Sequence, residues 1–380
     1  MGVRSVLVVG AGIAGSTLAY WLGREGIATT VVELARAQRS SGSPVDVRGL
    51  AVTFVTQMHL QEPLREAATR VTRLVVVDTR GRQIGWIPTQ ATAHGLEVPR
   101  SDLSALLTGA GRDRVEYVYD DTITALNDDG SGVDVSFERA KPRRFDLVVG
   151  ADGLHSRVRR LTFGPEEQFT THLGMYIATT DLARPAADVR SVVMHNAPGR
   201  AVAIHPTTGR EGAAFIFRHP LLPAGVARDP QLQKQLLTGV YSDLGWRVPE
   251  LLERFRASND VYFDAVSRVR LDTWSRSRIV LVGDAASCVS LLGEGSSMAI
   301  IGATTLAQAL ASHPDDLDTA FRVYEQVHRR RLRRRQRGIS LTSHLLVPAT
   351  RLGTDARNSA FRMWAVLAAG SSRMPRARRR

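Results

Sequence analysis

An α/β fold is predicted for this chain, with a parallel sheet in its first part and an antiparallel sheet in its middle. Three observations predict it. Short unbroken apolar runs at 6–9, 147–149 and 279–282 read as buried parallel strands, since they lack the polar alternation of a half-exposed strand. Each hands over to small residues and glycine: Gly10-Ala11-Gly12-Ile13-Ala14-Gly15, Gly150-Ala151-Asp152-Gly153 and Gly283-Asp284-Ala285-Ala286. Between the second and third of these, short β-rich segments alternate with Pro- and Gly-containing turns, as in a meander.

The first unit is a dinucleotide motif. Gly10 permits a tight turn, Gly12 lets the backbone approach a pyrophosphate, and Gly15 lets the following helix pack on the strand. That helix, roughly 13–24 and including Ala14, aims its N-terminal amides and positive dipole end at the same pyrophosphate. Gly26 ends it. A second strand over 28–32 finishes at Glu33, close to the offset of about 20 residues at which a carboxylate binds ribose hydroxyls. A 2′-phosphate would be repelled there, so the tight nucleotide is FAD or NAD rather than NADP. Arg36, just beyond the acid, is a small signal the other way and is more often a solvated surface residue.

In the third unit Asp284 stands at the carboxyl end of a strand, where ligands of such sheets sit, and a carboxylate there accepts hydrogen bonds from the hydroxyls of a ribityl chain. Gly293-Glu294-Gly295-Ser296-Ser297 then precedes a helical stretch over about 297–311, with Ser296 or Ser297 as N-cap. Gly293 and Gly295 let backbone lie against a planar ring, and a helix N-terminus stabilises negative charge at the pyrimidine edge of a reduced flavin. The middle unit, with Asp152 and Gly153 followed by Ser156, Arg157 and Arg159, closes the sheet beside the pyrophosphate. Together, in this order, the three units point to FAD and define a Rossmann-like FAD-binding domain.

These segments resemble the single-component, class A flavin monooxygenases, the group containing para-hydroxybenzoate hydroxylase and the tetracycline-inactivating monooxygenases, from residue 6 to about residue 340. The most specific piece is 146–153 with Ser156, Val158 and Arg159, which is similar to the family's second fingerprint, linked to both FAD and NAD(P)H. By that resemblance Arg48 falls on a loop arginine near the flavin and Arg100 on an arginine that contacts FAD. Ser287 and Leu291 depart from the family, which has a histidine or aromatic residue and a proline at those places. The resemblance implies FAD as cofactor, NADPH or NADH as co-substrate, and hydroxylation of an aromatic or polyketide-like molecule through a flavin C4a-hydroperoxide. Baeyer–Villiger insertion, epoxidation and a non-catalytic flavin- or ligand-binding role remain open alternatives. No metal and no catalytic side chain is assigned.

The antiparallel part holds Val192-Val193-Met194-His195, then 200–206 and 212–218, with strands added from 74–87 and a helical stretch over 232–255. Such a sheet makes a substrate lid, on which Tyr176, His195, His205 and Arg218 are candidates to hydrogen-bond a phenol. The expected organisation is FAD-binding segments at 1–70, 96–170 and 275–345, substrate-domain segments at 71–95 and 171–274, and a C-terminal helix with a basic tail at 346–380.

A hydrophobic share of 43% supports a full core, and every apolar run is far shorter than a membrane span. With one cysteine, Cys288, and no leader-like N-terminus, a cytoplasmic protein is expected, as monomer or weak dimer. The net charge of +13 is concentrated in two places: seven arginines within 328–337 and five more in 373–380. The first lies on a helix whose apolar stripe is Phe321, Tyr324, Val327, Leu332 and Ile339, so it reads as a solvated face; the second reads as a frayed tail. Arginine replaces lysine almost everywhere, so the bias is compositional and no nucleic-acid partner is expected.

Overall fold

The apolar runs become the centre of a six-stranded sheet in the order Ser275–Arg276, Ile279–Leu281, Leu147–Gly150, Ser5–Val9, Ala28–Glu33, Val115–Tyr119. The structure is a computed structural model that describes residues 2–36, 44–89, 95–207, 209–288, 295–336 and 346–371. From Ile279–Leu281 to Val115–Tyr119 every pairing in this sheet is parallel, with Leu7 set between Val148 and Thr30. Helices Ile13–Arg24, Arg100–Gly111 and Gly295–Ser312 pack side by side against it, and Arg157–Thr162 and Arg143–Phe145 also pack on its strands; Val6, Leu7, Val8, Val148 and Val280 are fully buried. The strands bearing the three glycine units are neighbours and run the same way, so their turns must meet at one edge. That convergence follows from parallel pairing alone.

The lid is a seven-stranded sheet in the order Val261–Val269, Thr170–Asp181, Glu211–Arg218, Arg200–Pro206, Ser191–Ala197, Arg73–Val77, Gln83–Pro88. It is antiparallel except where Arg73–Val77 lies parallel to Ser191–Ala197, the junction between strands from distant parts of the chain. One face carries Tyr176, Val202, Phe215 and Phe217 against Tyr241, Leu251 and Phe255 of two helices. Those helices, Pro230–Tyr241 and Val248–Ala257, correct the single helical stretch expected over 232–255. The break occurs where Trp246 takes a positive φ of 58° and its N–H donates to the Thr79 carbonyl at 2.8 Å, an attachment no helix could keep. Asp229 starts the first of the pair by accepting from the N–H groups of Gln231 and Leu232.

Two smaller sheets complete the strands: Ile123–Asp128 with Val133–Phe137 and Arg143–Phe145, and Val45–Arg48 with Gly95–Val98. Helix Leu317–Gln336 buries Phe321, Tyr324 and Leu332 as its stripe predicts, while Ile339 lies outside the described residues. Its arginines are not simply a solvated face. Arg329 donates to the carbonyls of Leu271 and Asp272, both at 2.9 Å, and Arg331 to Thr305 Oγ1 at 2.9 Å. Helix Arg351–Ser371 packs Phe361 onto Gly85, where a Cβ would stand 3.1 Å from the Phe361 carbonyl carbon. The basic tail lies outside the described residues. Among the described residues no helix is long and apolar enough to cross a membrane.

Candidate functional site

The first glycine unit folds as the local chemistry requires. A Cβ at Gly15 would stand 1.9 Å from the Gly10 carbonyl oxygen, and Gly10 itself has φ of 105° with Ala151 O at 2.6 Å from its Cβ position. Helix Ile13–Arg24 begins beyond Gly12 with no side-chain cap and no acid in its first turn, so its amides and dipole stay uncompensated. Gly12 has nothing within 4 Å of its Cβ position. At the end of the next strand Glu33 accepts from Ala11 N at 2.8 Å through Oε2 and from Ala35 N at 2.9 Å through Oε1. The carboxylate is thereby locked to the turn, with lone pairs left for hydroxyl donors. Arg36 is drawn off to Asp120 at 3.5 Å and is mostly exposed.

The second and third units are clipped together by Arg159. Its side chain has no exposed surface; Nη1 donates to Ala285 O at 3.0 Å and Nη2 to Leu154 O at 2.6 Å. Ser156 caps the short helix Arg157–Thr162, and Asp152 braces that start, accepting from Ser156 Oγ at 2.5 Å, Arg157 N at 2.7 Å and Val158 N at 3.0 Å. Burial outweighs those bonds and raises its pKa. Its oxygens thus serve the backbone, leaving Gly153, at φ of 79° with no atom near its Cβ position, as the part open to a ligand.

In the third unit Gly283 turns at φ of 64°, and its Cβ position is 2.7 Å from the Ala14 methyl, so the first and third turns touch there. Burial raises the Asp284 pKa, opposed by the charge of Arg100 and a bond from Cys288, and reinforced by Asp264. Helix Gly295–Ser312 starts before the serines expected to cap it. Ser296 and Ser297 instead donate to Asp46 O at 2.6 and 2.7 Å, and Ser297 Oγ accepts from Arg48 N at 2.9 Å, fastening strand Val45–Arg48 across the helix start. Arg48 pairs with Asp46 at 2.9 Å. Among the described residues nothing lies within 4 Å of the Gly295 Cβ position; Gly293 and Leu291 lie outside the described residues.

Among the described residues no atom lies within 4 Å of the Cβ positions of Gly12, Gly153 and Gly295, which belong to the three units that also supply a helix N-terminus and two acids at strand ends. An anionic diphosphate and a planar ring fit the edge where those units meet, which is the requirement FAD sets.

The lid turns the face opposite its two helices toward these turns. Alternation puts Tyr262, Asp264 and Val266 on one side of their strand, and Asp264 Oδ1 reaches His155 in the second unit at 3.2 Å. His205, on the same face, meets Glu97 at 3.2 Å. A row of neighbours crosses this face: Met194, Ala203, Ala214, Thr179 and Tyr262. Its middle residues, Ala203, Ala214 and Thr179, are small.

Of the four side chains expected to meet a phenol, His205 and Arg218 lie on that face. Tyr176 is turned into the helix-side core, accepting from Leu222 N at 2.9 Å and stacking on Phe217. His195 is buried beside Trp246, near the Val77 carbonyl. Arg218 donates to Val347 O at 2.8 Å and holds the C-terminal segment. The sequence reading missed Tyr262 and Asp264. Their alternation in Val261-Tyr262-Phe263-Asp264-Ala265-Val266 was the available signal, but it does not say which face is functional.

Residues 4–333 match the family model described as FAD binding domain. An uncharacterised protein of Mycobacterium tuberculosis is 39% identical over 334 residues, covering 85% of this chain and 89% of that protein. A flavin-dependent monooxygenase of Legionella longbeachae is 33% identical over 333 residues, 85% of each chain. The crystal structure of tetracycline destructase Tet(51) is similar with a TM-score of 0.83 at 27% identity, covering 99% of this chain and 100% of that one.

Proposed function

Because the chain belongs to the FAD-binding-domain family of flavin-dependent monooxygenases, we propose that it spends NAD(P)H and oxygen to place one oxygen atom on an aromatic or polyketide-like small molecule. The overall change is R–H + O2 + NAD(P)H + H+ → R–OH + NAD(P)+ + H2O. The observation that carries this reading is the row of small side chains Ala203, Ala214 and Thr179 between Met194 and Tyr262, on the sheet face from which Asp264 reaches His155 beside the second glycine unit. Side chains that small let a flat molecule lie close to the sheet, and the apolar flanks keep water from it.

The same reading gives the remaining residues these roles. The amides after Gly12 hold the pyrophosphate and Glu33 the adenosine ribose. Asp284 accepts from the ribityl hydroxyls, Gly153 and Gly295 pass their backbone beside the ligand, and Arg48 and Arg100 flank it. FAD bound there supplies electron transfer from NAD(P)H and activation of oxygen. The FAD-binding segments 1–70, 96–170 and 275–345 and the lid segments 71–95 and 171–274 divide the work between cofactor and substrate.

NAD(P)H oxidation by the purified yellow protein over a panel of phenols and polycyclic quinones tests this. Oxidation accelerated by one class of ligand, with product heavier by one oxygen as a hydroxyl, is expected. Bound FAD with no ligand-stimulated oxidation, or product of unchanged mass, overturns it.

A further inference from the structure

Tyr262, Asp264 and His155 form an unbroken hydrogen-bonded line from the turn-facing side of the lid to solvent. Tyr262 Oη donates to Asp264 Oδ2 at 3.2 Å, Asp264 Oδ1 lies 3.2 Å from His155 Nε2, and His155 Nδ1 lies 2.8 Å from Glu166 Oε1. Exposure rises along it: the Asp264 side chain is 19% exposed and that of His155 60%. At the inner end the charges of Arg100 and Asp284 both act on Tyr262, and the strand that bears it packs against Asp284–Ser287 of the third glycine unit. At the outer end the imidazole edge is in water.

The partners determine which atoms carry hydrogen. Both ring nitrogens of His155 face carboxylates, so both are donors and the ring is an imidazolium. The bonds to Asp264 and then Glu166 raise its pKa to about 10 against its partial burial. Arg159, 3.9 Å from Glu166 Oε2, and Arg160 are the cations on the far side of Glu166. Burial, then the Asp264 charge, raises the Tyr262 pKa, so its hydroxyl stays protonated and can give up its hydrogen only while receiving another.

The oxygenation written above consumes one proton from solvent in a site that must exclude water, and the inference rests on that reading. We propose that the line Tyr262–Asp264–His155 delivers this proton. Asp264 first takes a proton from His155 Nε2 onto Oδ1, and its carboxyl turns to bring that proton to Tyr262 Oη. Tyr262 accepts it as its own hydroxyl hydrogen swings from Asp264 to the oxygen atom that leaves as water, and the ring regains its proton from bulk solvent. At each step one bond to hydrogen breaks as the next forms, and the line returns to its starting charge. Glu166 is a positioning residue, keeping the ring aligned and charged.

Two variants and one titration test it. Tyr262→Phe removes one oxygen without changing the packed ring, and His155→Ala removes the outermost carrier. Each is expected to lower kcat by about tenfold or more with KM and FAD content retained. Added imidazole should restore the His155→Ala variant, whose vacated site is open to solvent, but not Tyr262→Phe; an enzyme damaged only in its fold would not respond to the buffer. Independently of turnover, proton NMR of the flavin-loaded protein should show the His155 ring titrating about two or more units above an ordinary histidine, and lower in Asp264→Asn. A ring that titrates at the ordinary value overturns the relay, as does parental kcat with a parental pH profile in both variants. If the wild-type protein oxidises no NAD(P)H with any ligand, the functional reading falls and the relay falls with it. Turnover unchanged by the substitutions removes the relay alone.

Discussion

A Cβ at Gly15 would stand 1.9 Å from the Gly10 carbonyl oxygen and 3.3 Å from the Ala151 methyl. The nearer atom is backbone, so Gly15→Ala must push the helix off the strand and spoil the turn that Gly10 and Gly12 build. Overpacking of that kind costs about 1–3 kcal/mol. We expect the variant to purify with little or no flavin, read as the ratio of absorbance at 450 and 280 nm; parental flavin content would show that the close approach is dispensable. Asp284→Ala tests the other end of the same edge. Charge-assisted bonds from a carboxylate to hydroxyls contribute about 1.5–3 kcal/mol, so FAD affinity should fall by about one to two decades, measured by equilibrium dialysis. Retention equal to the parent would make Asp284 purely structural. Asp152 and Asp284 were legible as acids next to glycines, and Glu33 as the acid that ends the second strand. That Asp152 spends its oxygens on Ser156, Arg157 and Val158 was not, because a brace at a helix start and a ligand site have the same local sequence.

Helix Leu317–Gln336 shows how an element with a clear pattern acquires an unpatterned task. Its apolar stripe was legible from spacing, and Phe321, Tyr324 and Leu332 are buried accordingly. Arg329, one residue of a run that reads as solvated, lays its guanidinium 4.3 Å from the Trp274 ring centre, pairs with Glu325 and donates to the Leu271 and Asp272 carbonyls. Trp274 in turn lies against Tyr324 at 5.5 Å and His328 at 5.8 Å, so the helix end is stapled to the strand pair below it. Arg329→Met keeps much of the stem over the indole and strips the carbonyls of their donor. A loss of about 1–3 kcal/mol in denaturant-induced unfolding is expected, whereas Arg330→Met, at an exposed position, should change stability by less than about 0.5 kcal/mol. Equal effects at the two positions would contradict the stapling. The carbonyls that single out Arg329 lie 57 and 58 residues earlier, beyond the reach of any local pattern.

For the whole molecule, two histidines set opposite limits on pH. His155 is raised to about 10 by Asp264 and then Glu166, so the stability it lends is full below pH 6.5 and is lost as pH climbs toward 10. Its exposed ring is screened by solvent, which keeps that contribution small. His328 is pushed down to about 3 by burial and then by Arg331; its neutral form is stable above pH 6.5, and stability is lost as pH falls toward 3. Melting temperature should therefore fall on both sides of neutrality, with the alkaline limb shallower in His155→Gln and the acid limb unchanged by that substitution; an alkaline limb identical to the parent's would show that the link between His155 and the lid carries no stability. The strand–turn–helix units, their order and the bound nucleotide were determined by the sequence itself, because an unbroken apolar run and glycines without Cβ atoms impose their geometry within a few residues. Parallel pairing then brought the three units to one edge. Which face of the lid meets that edge was decided only by the tertiary structure. Alternation along 261–266 defines two faces but names neither, and the choice that encloses Tyr176 and presents Tyr262 and Asp264 rests on partners such as His155, 109 residues away from Asp264 in the chain.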